Sequence, residues 1–247
     1  MSDPVVPPPL QVNPSYEEPV KPASAAKTAA WEDVLDIFYA PRQVFERRRD
    51  GKYLIPILVL CVVSMIIFVL SQQMNEAMQD AEFARVIKQN AMPAEAAANA
   101  KAMSKKFAAL AIYLIPAFVA IGAWVSGVII LLLGNAMGAK LNFGQATAIA
   151  VFGSMPELLG RTLMGVQGMF LDTATVVHRY SFSISAARFL SADVSNWALK
   201  FASLLDPFVI WGLVLVGLGA YIIGRMEKEK AAVLAVVVAI VGAALFR

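Results

Sequence analysis

Cysteine, histidine and charge are what this chain has least of: among 247 residues there is one Cys, one His, and a charged fraction of 16%. Cys61 alone cannot form an internal disulfide, and His178 alone cannot build a two-histidine metal site. No HExxH, GxSxG, Walker loop, acidic metal cluster or GxGxxG following a strand occurs, so no enzyme activity, cofactor or metal is expected. A formal net charge of +3 against 21 Lys+Arg and 18 Asp+Glu gives no basic field of the kind that binds nucleic acid. The first residues lack a basic start and an apolar core, so they do not read as a cleavable signal peptide.

Apolar residues fill that space. They make up 59% of the chain, and the mean hydropathy is +0.65, more than a soluble core of this size needs. The expected fold class is an all-α membrane protein with the bilayer as partner, five transmembrane helices, an N-terminal interfacial helix and a disordered tail. The tail covers residues 1–29, where Pro4, Pro7, Pro8, Pro9, Pro14, Pro19 and Pro22 stand among small and charged residues that bury little. Pro7-Pro8-Pro9 has the composition of a polyproline ligand as well as of a plain tether.

Residues 30–53 read as juxtamembrane helices. Trp31, Val34, Leu35 and Phe38 recur at helical spacing and predict one apolar face. Pro41 suits the first turn of a second short helix, which leads to Phe45 and to the cations Arg47, Arg48, Arg49 and Lys52. That cluster, with Trp31, reads as a headgroup or partner contact, or as a topological anchor on the cytoplasmic side.

The membrane domain is 54–247, with apolar runs at about 54–71, 107–133, 143–169, 204–224 and 231–246. Pro56, Pro116 and Pro156 within them mark first turns or kinks. Five spans put the termini on opposite sides, with the dense first cation cluster favouring a cytoplasmic N-terminus. Between spans, 72–106 predicts helix on both sides of Pro93. In 171–203, the alternation of Tyr180, Phe182 and Ile184 with serines predicts a short extended piece, with His178 as an exposed loop residue, and Val194, Trp197 and Phe201 predict an interfacial helix. Asp206 before Pro207 reads as a helix cap.

Glu157 and Arg161 are the polar point of the third span, four apart and so on one helical face beside the Pro156 kink. A lone charge at mid-membrane costs about 2.5 to 3.5 kcal/mol, which favours pairing and an inward orientation. The pair reads as a packing device or as a proton or solute path. Gly134 and Gly138 form a GxxxG for close helix packing, with Gly122 and Ser126 a second small pair.

Taken in order, several short stretches resemble the YIP1 family of five-span membrane proteins, in its bacterial type. They are the aromatic first helix with Pro41-Arg42 and Phe45, then Leu54-Ile55-Pro56, Gly153-Ser154-Met155-Pro156, and Leu205-Asp206-Pro207-Phe208 with Trp211. The resemblance covers about residues 31–246 and implies an integral membrane protein with a cytoplasmic N-terminus and no catalytic residues. It further implies self-association or binding to other membrane proteins, in the bacterial cytoplasmic membrane. The eukaryotic branch engages Rab-type GTPases, but its DLYGP-like stretch is missing here, where only Ala40-Pro41 stands near its place, which leaves a GTPase partner doubtful. The function expected is that of a non-catalytic scaffold or partner-recruiting factor; the alternative is a small-solute or proton transporter built on Glu157 and Arg161.

Overall fold

The computed structural model describes residues 29–170, 172 and 175–246; the Pro-rich stretch before them lies outside. Among the described residues, secondary structure is entirely helical. Two short helices, α1 (Asp33–Asp36) and α2 (Pro41–Arg47), precede α3 (Leu54–Leu70), α4 (Gln72–Asn90), α5 (Ala94–Ala136) and α6 (Phe143–Gly168). A 3-10 turn, Ala186–Phe189, then leads to α7 (Asn196–Ala202), α8 (Pro207–Ile222) and α9 (Lys228–Phe246).

Each of the five apolar runs expected from sequence has one helix of this series at its core, though α8 begins three residues later and ends two earlier than the run 204–224. α3, α5, α6, α8 and α9 run lengthwise and alternate in direction between two ends of a bundle. At the near end, the Gln145 amide donates to the Arg49 carbonyl at 2.8 Å and the Lys140 N–H to the Gly224 carbonyl at 3.2 Å. At the far end, Met74 packs where a Cβ on Gly168 would stand, and the Lys200 ammonium donates to the Ala244 carbonyl at 3.5 Å. The stretch Ile112–Ala136 of α5, with mean hydropathy 2.4, meets membrane-crossing criteria by itself. Counting the bent pairs α3 with α4 (78°) and α7 with α8 (67°) as one crossing each brings the total to three. α3 and α8 fall short alone because they have only 17 and 16 residues.

α6 is the central helix, packed on α3, α5 and α8. Every residue from Ala146 to Gly153 is buried, so this stretch has no outward face. Its start is fixed by a capping box: Asn142 Oδ1 accepts from the Gln145 N–H at 2.9 Å, and Gln145 Oε1 accepts from the Asn142 N–H at 3.0 Å. Pro156 lies inside the helix and has no N–H to give the Phe152 carbonyl.

Close approach to α6 depends on glycines other than the expected pair. A Cβ on Gly212 of α8 would stand 2.5 Å from the Gly153 carbonyl oxygen, and one on Gly127 of α5 would stand 2.5 Å from Thr147 Oγ1. Gly138 does not pack helices at all. It follows α5 with φ +93 and no atom within 4 Å of an added Cβ, while the Ala139 N–H reaches back to the Gly134 carbonyl at 2.8 Å. This is the left-handed turn that closes a helix C-terminus. A Cβ added to Gly134 would meet Leu141, Ala139 and Leu234 at 3.2 to 3.5 Å.

Three further expectations are corrected. The segment holding Tyr180, Phe182 and Ile184 is turns and bends, not extended. His178 is fully buried: Nε2 lies 3.0 Å from the Leu190 carbonyl oxygen, and Nδ1 accepts from the Tyr180 N–H at 3.2 Å. The first helix is a single turn whose buried positions are Asp33 and Ile37, leaving Trp31 and Leu35 exposed.

Candidate functional site

Two places carry polar chemistry that packing alone does not require. The first is at the near end, where α2 docks on α8 and α1 packs on α2 and α3. Phe45 is its wedge: fully buried, edge-on to Phe152 at 6.0 Å, and close to Gly219, whose missing side chain leaves it room. Phe38 lies edge-on to Trp211 at 5.4 Å.

Above the wedge lies Asp33, with no exposed side-chain surface. A carboxylate there needs partners, and the arginine run supplies them. Arg47 donates to Asp33 Oδ1 from Nη2 at 2.6 Å and from Nε at 3.0 Å. Arg48 Nε donates to Oδ2, and Arg47 Nη2 also reaches Asp36 Oδ2 at 2.5 Å. The hydroxyl of Tyr39 donates to Asp36 as well. Hydrogen bonds from Tyr39 and then Arg47 hold the Asp36 carboxyl below its usual value, and the Tyr39 phenol is raised in return.

The cation cluster thus divides. Arg47 and Arg48 are internal partners with 16% and 14% of their side chains exposed. Arg49 and Lys52 are exposed, and Lys52 pairs loosely with Asp50 at 2.9 Å. The apolar side chains facing outward are Trp31, Leu35 and Tyr39, at 57%, 56% and 74% exposure. They are spaced four apart and form one stripe.

The second place is in the bundle, toward the far end of α6. Glu157 and Arg161 border the same two cavities. One is a compartment of about 240 Å³ whose polar walls include Arg179, Ser183, Ser185, Ser203 and Asp206. The other, about 430 Å³, lies between α3, α5, α6, α8 and α9. The carboxylate of Asp206 is engaged as the expected cap of α8, accepting from the N–H groups of Phe208 at 2.8 Å and Val209 at 3.4 Å.

Residues the sequence reading passed over hold the far-end loop in place. Arg85 of α4 is buried, donates to the Val194 carbonyl at 3.0 Å and to Asn196 Oδ1, and pairs with Glu82 at 3.1 Å. Lys88 meets Asp193 at 2.8 Å, which lowers that carboxyl and raises the ammonium. Nothing in the local pattern around Arg85 distinguishes it from its neighbouring surface charges.

A helical bundle with one helix enclosed by apolar others and charged residues gathered at its ends is a membrane protein's arrangement. The chain belongs to the Yip1 domain family: the family model matches residues 35–246, nearly the whole chain and all of the bundle. Comparison with curated proteins gives no match, and neither does comparison with solved structures.

Proposed function

We propose that this Yip1-family protein is a non-catalytic, five-span protein of the bacterial cytoplasmic membrane, N-terminus inside, that gathers partner proteins or further copies of itself. The observation that carries this reading is the near-end unit. A buried carboxylate tied to two guanidinium groups holds a two-helix element rigidly against α8, and that element turns Trp31, Leu35 and Tyr39 outward. Presenting aromatic surface at low ordering cost is what a contact surface requires. Arg49 and Lys52 beside it supply charge for headgroups or for an acidic partner.

A solute or proton path has less to draw on. Of the two carboxylates bordering the polar compartment, Asp206 is committed to capping α8.

The test is proximity labelling and co-purification from native membranes, comparing the full chain with Trp31→Ala, Leu35→Ala, Tyr39→Ala and with a chain lacking residues 1–30. Stoichiometric partners lost in the triple substitution support the reading. Unchanged co-purification in that variant, with substrate flux lost in Glu157→Gln at normal folding, overturns it in favour of transport.

A further inference from the structure

The two cavities that border Glu157 and Arg161 both expose mostly apolar surface, but one is lined by more polar side chains, and their order along α6 is informative. The apolar one touches α6 from Ala150 to Arg161, toward the middle of the bundle. The polar one touches it from Glu157 to Met164, toward the far end. Glu157, Arg161 and Val209 line both, so the two spaces adjoin at a carboxylate and a guanidinium.

The apolar space is not a packing remnant. Small residues normally bring membrane helices into contact, yet a Cβ added to Gly122 of α5 or Gly242 of α9, both bordering the cavity, would meet no atom within 4 Å. Phe118 lines the cavity while 65% exposed, so the space reaches the lipid-facing surface. The walls are mostly apolar, interrupted by the hydroxyls of Ser64, Ser126 and Ser154. The lining of the other compartment includes Glu157 and the guanidinium-bearing Arg161 and Arg179, the last lying 4.9 Å from the centre of the Tyr180 ring; guanidinium is the side-chain group best suited to a phosphate.

We propose that this pair of cavities binds one phospholipid, its phosphate on Arg161 and Arg179, an amine-bearing headgroup favoured by Glu157, and an acyl chain in the apolar cavity between α5 and α9. The depth suits it. By helix rise, Arg161 is about 10 Å short of the far end of α6, where a long side chain still reaches the headgroup level of that leaflet. This site is separate from the near-end contact surface and does not depend on partner recruitment.

The experiment places the full chain in nanodiscs of phosphatidylethanolamine containing a trace of the same lipid with a diazirine on one acyl chain, and maps photo-adducts by mass spectrometry. Wild type is expected to concentrate adducts on cavity residues of α5 and α9. Gly122→Leu with Gly242→Leu should remove most of them while the melting temperature in micelles stays unchanged. Arg161→Gln should weaken them about tenfold, the usual worth of a charge-assisted hydrogen bond. Glu157→Gln should raise labelling by a phosphatidylglycerol probe relative to phosphatidylethanolamine. Adducts spread evenly over the outer helix faces and untouched by the double leucine variant would overturn the proposal. So would displacement of the lipid by inorganic phosphate at millimolar concentration, which would make this a site for free phosphate.

Discussion

Asp33 is the residue on which the near-end unit turns. Its carboxylate is fully buried and its partners are the arginines that precede the first long helix. Asp33→Ala strands two guanidinium groups in a poorly solvated place and should cost about 3 kcal/mol, read from thermal unfolding in micelles. Arg42→Ala, which breaks a pair exposed at 73% and 42%, should cost a few tenths at most. Acid should act on the same unit. Because Asp36 is held below its ordinary value of 3.8 by Tyr39 and Arg47, its contribution is complete above that value and is lost as pH falls through the lower folded-state value. Hydrogen exchange over residues 33–48 should therefore quicken below about pH 4 in the wild type, and Asp36→Asn should flatten that response. None of this was legible from spacing alone. The run Arg47-Arg48-Arg49 reads as surface charge because its partners stand 11 to 15 positions earlier, beyond any helical repeat. The burial of His178 is hidden from the local pattern for a related reason, since it is created by a loop folding back on itself.

At the scale of the element, helix ends were legible and helix contacts were not. Pro41 and Asp206 with Pro207 act where local chemistry alone decides, and α2 and α8 begin there. Packing glycines depend on which helix lies opposite, which no local motif states. The GxxxG at Gly134 and Gly138 is divided between a side contact and a turn, while Gly127, Gly153 and Gly212 bring the backbones together. Two substitutions separate these roles. Gly212→Ala drives a methyl against the Gly153 carbonyl and should cost about 1 to 3 kcal/mol. Gly138→Ala has open space and should cost about 1 kcal/mol, from its left-handed backbone alone. Circular-dichroism melts of the two variants in the same detergent check both. Arg85→Ala should leave the bundle intact while hydrogen exchange at Val194 to Asn196 rises, because its donors hold that loop to α4.

For the whole molecule, composition was enough to indicate a membrane protein, and the order of apolar runs was enough to place five lengthwise helices. The crosswise pieces α4 and α7 follow from bends of 78° and 67° that no hydropathy pattern contains. If all five helices cross, labelling of single cysteines in a Cys61→Ala background should report positions 140 and 225 on one side of the membrane and 91 and 193 on the other. Agreement of 91 with 140 would reduce the number of crossings. The lengths of α3 and α8 have one more outcome. At 17 and 16 residues they extend about 25 Å, against a hydrocarbon layer of about 30 Å. Stacked Trp197 and Phe201, both exposed on α7, sit just beyond one end of α8, and Tyr221 closes the other. If α3 and α8 each cross unaided, they set the thinnest part of the body and make it a gauge of bilayer thickness. It should melt highest in short-chain phosphatidylcholine and, within one continuous membrane, gather where the sheet is thinnest.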